Sequence, residues 1–264
     1  MIISCSGRIK SGKDLVGRII QCLTVTNIPN EDLKKFILNN KIVVHSDWHI
    51  KKFANKLKDI VCLLTGCTRK QLEDQEFKSK ELSEEWWYYR ISSTITLPRF
   101  YYPYEEDNKM CEERFLIKPT YRSLLQQIGT DLFRDKLHPN CWVSSLMNEY
   151  KTCDSKCQNI DVKYCGDNKY DCIKTPNWII TDLRFPNELK AVKDRGGISI
   201  RVKRSIPKEQ DVNQSLLGAI SNYKEHPSET ALDDAVFNYE INNTGTIEEL
   251  IEKVREILIK ENIT

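Results

Sequence analysis

Gly7 and the pair Gly12-Lys13 stand four residues apart in SGRIKSGKD (residues 6–14), directly after the apolar opening Met1-Ile2-Ile3. Two glycines at that spacing let the backbone turn tightly enough to aim several N–H groups at one anion. A helix starting near Lys13 would add the positive end of its dipole at the same point. Lys13 would then reach the outer oxygens of a phosphate chain as a mobile point charge. The pattern is that of a phosphate-cradling loop, except that Asp14 stands where Ser or Thr usually follows the lysine.

Asp182 is the second anchor. It closes the apolar run Trp178-Ile179-Ile180-Thr181, and a carboxylate at a strand end beside a phosphate loop is the arrangement that holds Mg²⁺ or its water shell. Taken alone, such an aspartate more often caps the following helix; the loop at residues 6–14 shifts the balance to the metal. Arg184 follows two residues later, where it could bind phosphate bidentately or stabilise charge on a moving phosphoryl group. Glu188, one helical turn on, could hold Arg184 in place. The competing reading is an exposed ion pair at a helix start, which contributes little. Arg8, Lys10, Lys78, Arg122, Gln126, Arg134 and Trp142 supply further cationic, polar and aromatic groups for an acceptor pocket. Each alone is more often a solvated charge or a core aromatic.

Ten cysteines invite other chemistry. They are spread over a chain well above the size of a disulfide scaffold, so reduced thiols are expected. Cys153, Cys157, Cys165 and Cys172 are separated by gaps of three, seven and six residues, and only the first gap suits a structural zinc site built from close pairs. Free thiols in a surface hairpin are the preferred reading, with a zinc-clipped insertion as the alternative.

The elements that must position these residues are legible as periodicity. Ile2, Ile3 and Cys5 read as a buried strand, and Leu15, Val16, Ile19, Ile20 and Leu23 as the stripe of an amphipathic helix. Helices are predicted over 30–40, 56–64, 68–74, 81–89, 121–134 (with Gly129 at a break), 139–150, 185–195 and 247–259. Extended segments are predicted over 42–45, 48–53, 178–182, 198–202 and 236–241. Residues 92–119, rich in Pro and with an aromatic cluster at 100–104, read as an excursion from the core, as does the polar, Cys-rich stretch 152–176. Residues 205–223 read as a loop with a partial helix. Strands that are apolar on both faces and alternate with helices predict an α/β fold with a mainly parallel sheet covered on both sides. No clean linker appears, so residues 1–264 read as one domain with two insertions.

Forty Lys and Arg against thirty-eight Asp and Glu leave a net charge of +2, with no overall basic footprint for nucleic acid. No apolar run approaches the ~20 residues a membrane span needs, and the opening is too short for a secretion signal. A cytoplasmic protein without nucleic-acid or membrane partners is expected.

SGRIKSGKD at 6–14, LLQQIGTDLFR at 124–134, Trp142-Val143, ITDLRFPNE at 180–188 and NTGTIEEL at 243–250 occur in the order in which they stand in viral deoxynucleoside monophosphate kinases, and the chain resembles that family from end to end. The resemblance accounts for Asp14, since Gly-Lys-Asp is what the family carries. It implies the three-layer fold of P-loop nucleotide kinases, with insertions that bind substrate or act as a lid, and transfer of the γ-phosphoryl group of ATP to a deoxynucleoside monophosphate with Mg²⁺. It implies ATP on Gly7, Lys10, Ser11, Gly12, Lys13, Asp14 and Leu15. The monophosphate is implied on Arg8, Ile9, Phe53, Ala54, Lys78, Arg122, Gln126, Gly129, Thr130, Asp131, Arg134, Trp142, Asp182, Arg184 and Glu188. Lys13, Arg184 and Asp182 would carry the catalysis, and Asp14 and Asp182 the Mg²⁺, directly or through water. Its members often pair, so a homodimer is left open. His226 and Glu229, in a further family-like block (HPSET), are expected to tie the last strand to the core.

Two readings of other classes compete: a P-loop ATPase or switch protein without a nucleotide acceptor, and a zinc-clipped binding module centred on the cysteines. ATP turnover indifferent to added monophosphate marks the first, and metal in the purified protein the second.

Overall fold

The computed structural model describes residues 1–25, 28, 30–39, 46–90, 96–98, 115–151, 175–204 and 227–264. In chain order they begin with β1 (Ile2–Ser6), α1 (Lys13–Leu23), α2 (Asn30–Leu38), β2 (Trp48–Lys51), α3 (Asn55–Thr65), α4 (Arg69–Glu73) and α5 (Gln75–Lys78). The short strands β3 (Tyr88–Arg90), β4 (Thr96–Pro98) and β5 (Phe115–Ile117) follow, then α6 (Tyr121–Gln126), a π-helical stretch Gln127–Leu137, and α7 (Cys141–Met147). The chain ends with β6 (Asn177–Leu183), α8 (Pro186–Lys193), β7 (Ile198–Lys203), α9 (Pro227–Thr230), β8 (Tyr239–Asn242) and α10 (Ile247–Lys260). These elements divide into two compact units, one of Met1–Phe53 with Val143–Thr264 and one of Ala54–Trp142.

The first unit is built on a five-stranded sheet in the order β2-β6-β1-β7-β8, parallel at every pairing. Parallel pairing requires crossovers, and crossovers place helices on the faces. Alternation along the central strands sorts side chains to two cores. Ile3 and Cys5 of β1, Ile179 of β6 and Ile198, Ile200 and Val202 of β7 meet Val16, Ile19 and Ile20 of α1 and Leu250, Val254 and Leu258 of α10. Ile2 of β1 and Trp178, Ile180 and Leu183 of β6 meet Val143, Leu146 and Met147 of α7 and Leu189 and Val192 of α8. An α/β unit with a parallel sheet flanked by helices is therefore present, consistent with the P-loop-like fold that the resemblance implies. β1 and β6 are neighbours, with Ser4 opposite Ile180 and Ser6 opposite Leu183 across a bulge, so their carboxyl ends open side by side. Ligands of open α/β sheets gather at such ends.

The second unit has its own core of Val61, Leu72, Leu82, Leu124 and Ile128, and an antiparallel sheet β4-β3-β5. Capping boxes at Thr68/Gln71 and Thr120/Ser123 start α4 and α6. Three expectations are corrected here. Residues 81–89 do not form a helix: a single 3₁₀ turn at Glu84–Trp86 leads into β3. The aromatic run 86–89 favours a pleated, half-buried surface, and Trp87 Nε1 donates to the Leu82 carbonyl at 2.9 Å. The helix expected over 121–134 is α-helical only to Gln126 and continues as the π-helical stretch. The last strand is Tyr239–Asn242, not 236–241, because Asn238 turns inward to exchange hydrogen bonds with Ser199. The segments predicted at 42–45 and 205–223, the aromatic cluster at 100–104, His226 and the cysteines 153, 157, 165 and 172 lie outside the described residues.

Candidate functional site

β1 ends at Ser6 and α1 begins at Lys13, leaving six residues to turn the chain. Gly12 caps α1 at φ 97° without a side-chain hydrogen bond, a conformation that penalises any Cβ. A Cβ there would also sit 2.3 Å from Asn243 Nδ2. That amide donates to the Ser11 carbonyl at 2.9 Å and so ties the loop to the end of β8. A Cβ on Gly7 would lie 2.4 Å from Ser11 Oγ and 2.5 Å from the Val202 carbonyl, so both glycines are required by close approach. Ser11 N donates to the Arg8 carbonyl at 3.1 Å.

Two polar groups in this loop are left with unused capacity. Ser11 Oγ is buried and has no hydrogen-bond partner among the described residues. Lys13 is 8% exposed, and its ammonium donates to the Arg8 carbonyl at 3.3 Å, with no carboxylate at ion-pair distance among the described residues. Burial, and then the neighbouring Arg184 guanidinium, push the lysine below its ordinary pKa, against the pull of Asp14, Glu229 and Asp182. An anion arriving here would relieve both groups.

Asp14, in the first turn of α1, accepts from Thr181 Oγ1 at 2.8 Å and pairs with Lys52 Nζ at 2.8 Å. Burial opposes its ionisation, but the Lys52 ammonium and the Thr181 hydroxyl prevail and hold the carboxyl below its usual pKa. Asp182 Oδ1 accepts the Phe53 N–H at 2.9 Å and thereby fixes the exit of β2 to the end of β6. Glu188 is 2% exposed, and its Oε2 accepts the main-chain N–H groups of Arg184 at 2.8 Å and Phe185 at 3.1 Å. Glu188, expected to hold Arg184, reaches the main-chain N–H of that residue. The Arg184 guanidinium itself pairs with Glu229.

The first unit thus holds Arg8, Ile9, Lys13, Asp14, Asp182, Arg184 and Glu188 at the ends of β1 and β6, with Asp14, Asp182, Arg184 and Glu229 acting electrostatically on Lys13, and their loops are tied by hydrogen bonds or ion pairs from Lys52, Thr181, Glu229 and Asn243. Sequence reasoning gave those last four no part in the chemistry. Asn243 opens a block carried by the resemblance and Glu229 belongs to another, so both were within reach. Lys52 and Thr181 had no signal beyond lying beside Phe53 and Asp182. Lys78, Arg122, Gln126, Gly129, Thr130, Asp131, Arg134 and Trp142 lie in the second unit. There Arg122 Nη2 donates to Gln75 Oε1 at 3.0 Å, and Trp142 Nε1 donates to the Gly129 carbonyl at 2.8 Å. The Trp142 ring stacks on Phe133 with centroids 5.1 Å apart. A Cβ on Gly129 would lie 2.7 Å from Leu57 Cδ2. Among the described residues no group of three or more His, Cys, Asp or Glu side chains could hold a metal by itself. None of their helices is long and apolar enough to cross a membrane.

No family model matches the chain. Over 144 residues it is 28% identical to a protein of Acanthamoeba polyphaga mimivirus described as "Putative deoxynucleotide monophosphate kinase". The match covers 51% of this chain and 59% of that relative.

Proposed function

We propose that the protein is a nucleotide kinase that transfers the γ-phosphoryl group of ATP to a deoxynucleoside monophosphate, giving a deoxynucleoside diphosphate and ADP. The observation that carries the reading is the pair of unspent groups in the loop after β1: a buried lysine with no carboxylate at ion-pair distance and a buried serine hydroxyl with no hydrogen-bond partner among the described residues, beside a strand end bearing Asp182 and Arg184. The description of the mimivirus relative points the same way.

Phosphoryl transfer is mainly positioning and charge neutralisation. The acceptor phosphate is ionised at neutral pH, so no strong base is needed. Lys13 would bind the outer phosphates of ATP, Ser11 Oγ would donate to a phosphate oxygen, and Arg184 would neutralise charge on the transferring group. The carboxylates of Asp14 and Asp182 suit Mg²⁺ held through water, since both are already engaged by protein donors and Mg²⁺ keeps much of its own shell. When bound, Mg²⁺ would draw charge from the phosphates. Gln126, Gly129, Thr130, Asp131, Arg134, Trp142, Lys78 and Arg122 are proposed for the monophosphate on the resemblance alone.

The test is a coupled assay of ADP formation from ATP with dTMP, dGMP, dCMP and dAMP and their ribo forms. Turnover that requires one or more of the deoxy monophosphates is expected. ATP hydrolysis at the same rate with and without every monophosphate would overturn the reading in favour of an ATPase.

A further inference from the structure

One carboxylate in the first unit joins the two loops that carry the proposed phosphate ligands. Glu229, in the short α9, places Oε1 on the Arg184 guanidinium, while its Oε2 accepts the Ile9 N–H at 3.2 Å. Its side chain is 17% exposed and that of Arg184 31%, so the pair is shielded more than a surface ion pair is. One turn later a second carboxylate repeats the connection. Asp233 accepts from Arg8 at 3.1 Å and from Arg201 at 2.7 Å, and Arg201 Nη1 also donates to the Leu232 carbonyl. The segment 229–233 is therefore tied to the loop after β1 at two residues, to Arg184 after β6, and to Arg201 on β7.

A single carboxylate shared between a guanidinium and a main-chain amide fixes their separation, because each oxygen is committed to one partner. An arginine on its own stem would spread over many rotamers, and that freedom would have to be removed at each turnover. We infer that Glu229 is a positioning residue: it presets the Arg184 guanidinium against the loop at Ile9, so that both meet a polyphosphate without rearrangement. The catalytic consequence rests on the kinase reading; the anion-binding consequence does not.

The two roles open to Glu229 predict opposite signs. As a mere counter-ion it competes with the incoming phosphates, and removing its charge would tighten anion binding. As a positioning residue it prepares the site, and Glu229→Gln, which keeps the shape and loses the charge, would weaken it. The experiment measures inorganic tripolyphosphate affinity by calorimetry, with kcat and KM for ATP alongside, in wild type, E229Q, R184A and the double variant. Expected are weaker tripolyphosphate binding by E229Q and a kcat roughly 10–100-fold lower, the scale of a small misplacement of a reacting group. KM for ATP should change less than kcat. The double variant should be no slower than R184A, since Glu229 acts through Arg184. Tighter tripolyphosphate binding, an unchanged kcat, losses that add in the double variant, or a wild type that binds no tripolyphosphate would each overturn the inference. A wild type that binds tripolyphosphate yet phosphorylates no monophosphate would sink the kinase reading, and the sign of the E229Q effect would still decide the role of Glu229. Should E229Q fail to fold, E229D keeps the charge but is one methylene too short to serve both partners: weaker tripolyphosphate binding and a lower kcat are expected from it, and unchanged binding and kcat, as a mere counter-ion would give, would overturn the inference.

Discussion

The glycine-bounded loop after β1 and the π-helical stretch Gln127–Leu137 were both marked by the sequence as places that touch a nucleotide, yet they use their polar groups in opposite ways. In the loop, capacity is left over: among the described residues Ser11 Oγ has no hydrogen-bond partner and the buried Lys13 ammonium donates only to the Arg8 carbonyl. In the π-helical stretch, the groups around Gly129 are taken up within the unit. The Gly129 carbonyl takes the Trp142 indole N–H, Phe133 stacks on the same ring, and Leu57 fills the space beside Gly129. Glycine serves both regions for different reasons. Gly12 supplies a left-handed turn and Gly129 supplies room. Unsatisfied buried polar groups such as those of the loop bear a cost that a ligand can repay; the contacts at Gly129 are held by the packing of their own unit.

The strongest test of this contrast is Lys13→Met, which keeps the apolar stem and removes the charge. We expect kcat with ATP to fall on the order of 10³-fold, the upper range for loss of one preorganised charge donor. Stability should not fall. Because Lys13 has a lowered folded-state pKa, the unfolded chain binds its proton more readily, and the protonated folded state is penalised at neutral pH. That penalty is full below the folded-state pKa and fades as pH rises from there to the pKa of an unfolded lysine, and the methionine removes it at every pH. The melting temperature at neutral pH should therefore hold or rise. In the wild type, the alkaline limb of kcat/KM should lie below the pH at which an exposed lysine titrates. A K13M enzyme of near-normal rate, or one that unfolds, would remove Lys13 from the site.

A paired substitution compares the two regions directly. Gly12→Ala must hold φ 97° and push Asn243 Nδ2 from the 2.3 Å position that its Cβ would claim. The strain is about 1–2 kcal/mol, and it falls on the loop, so turnover should drop roughly tenfold or more along with stability. Gly129→Ala keeps an ordinary φ and displaces only the end of the Leu57 side chain, 2.7 Å away. Its cost of about 1–3 kcal/mol for overpacking is offset by about 1 kcal/mol of helix propensity. The expected change is a modestly lower melting temperature. A raised KM for the monophosphate at an unaltered melting temperature would instead give Gly129 the substrate contact that the resemblance implies.

What the sequence made legible divides along the same line. The spacing Gly7…Gly12-Lys13 and the apolar alternation of β1, α1 and β6 are local signals, and the parallel sheet and its loop follow from them. Asp182 and Arg184 were readable because they close an apolar run. The network that holds them was not. Glu229 meets Arg184 across 45 residues, Asn243 meets Ser11 across 232, and Thr181 meets Asp14 across 167, and no spacing rule connects such pairs. The aromatic run at 86–89 misled in the other direction. Its charged flanks read as a helix face, whereas pairing of Tyr88 and Tyr89 with β4 and β5 makes it a strand. Tertiary contact overrode local pattern there, as it commonly does for short segments.

The smallest effect, and the most telling sign, belongs to Ser11→Ala. A buried hydroxyl without a partner costs the folded protein about 1–3 kcal/mol of lost hydration, so its removal should leave the unliganded protein as stable or slightly more so. The methyl that remains still occupies the space beside Gly7, where the Ser11 Cβ already lies 3.2 Å from the Cβ a side chain there would have. If the hydroxyl donates to a phosphate, ATP binding should weaken by roughly 3–10-fold, the worth of one net hydrogen bond. Calorimetric titration with ATP and thermal melting of the unliganded protein read the two effects separately. Opposite signs are what a group reserved for a ligand must give. A loss of stability without a change in affinity would mean that the Ser11 hydroxyl serves the fold, and the contrast between the loop and the π-helical stretch would then rest on Lys13 alone.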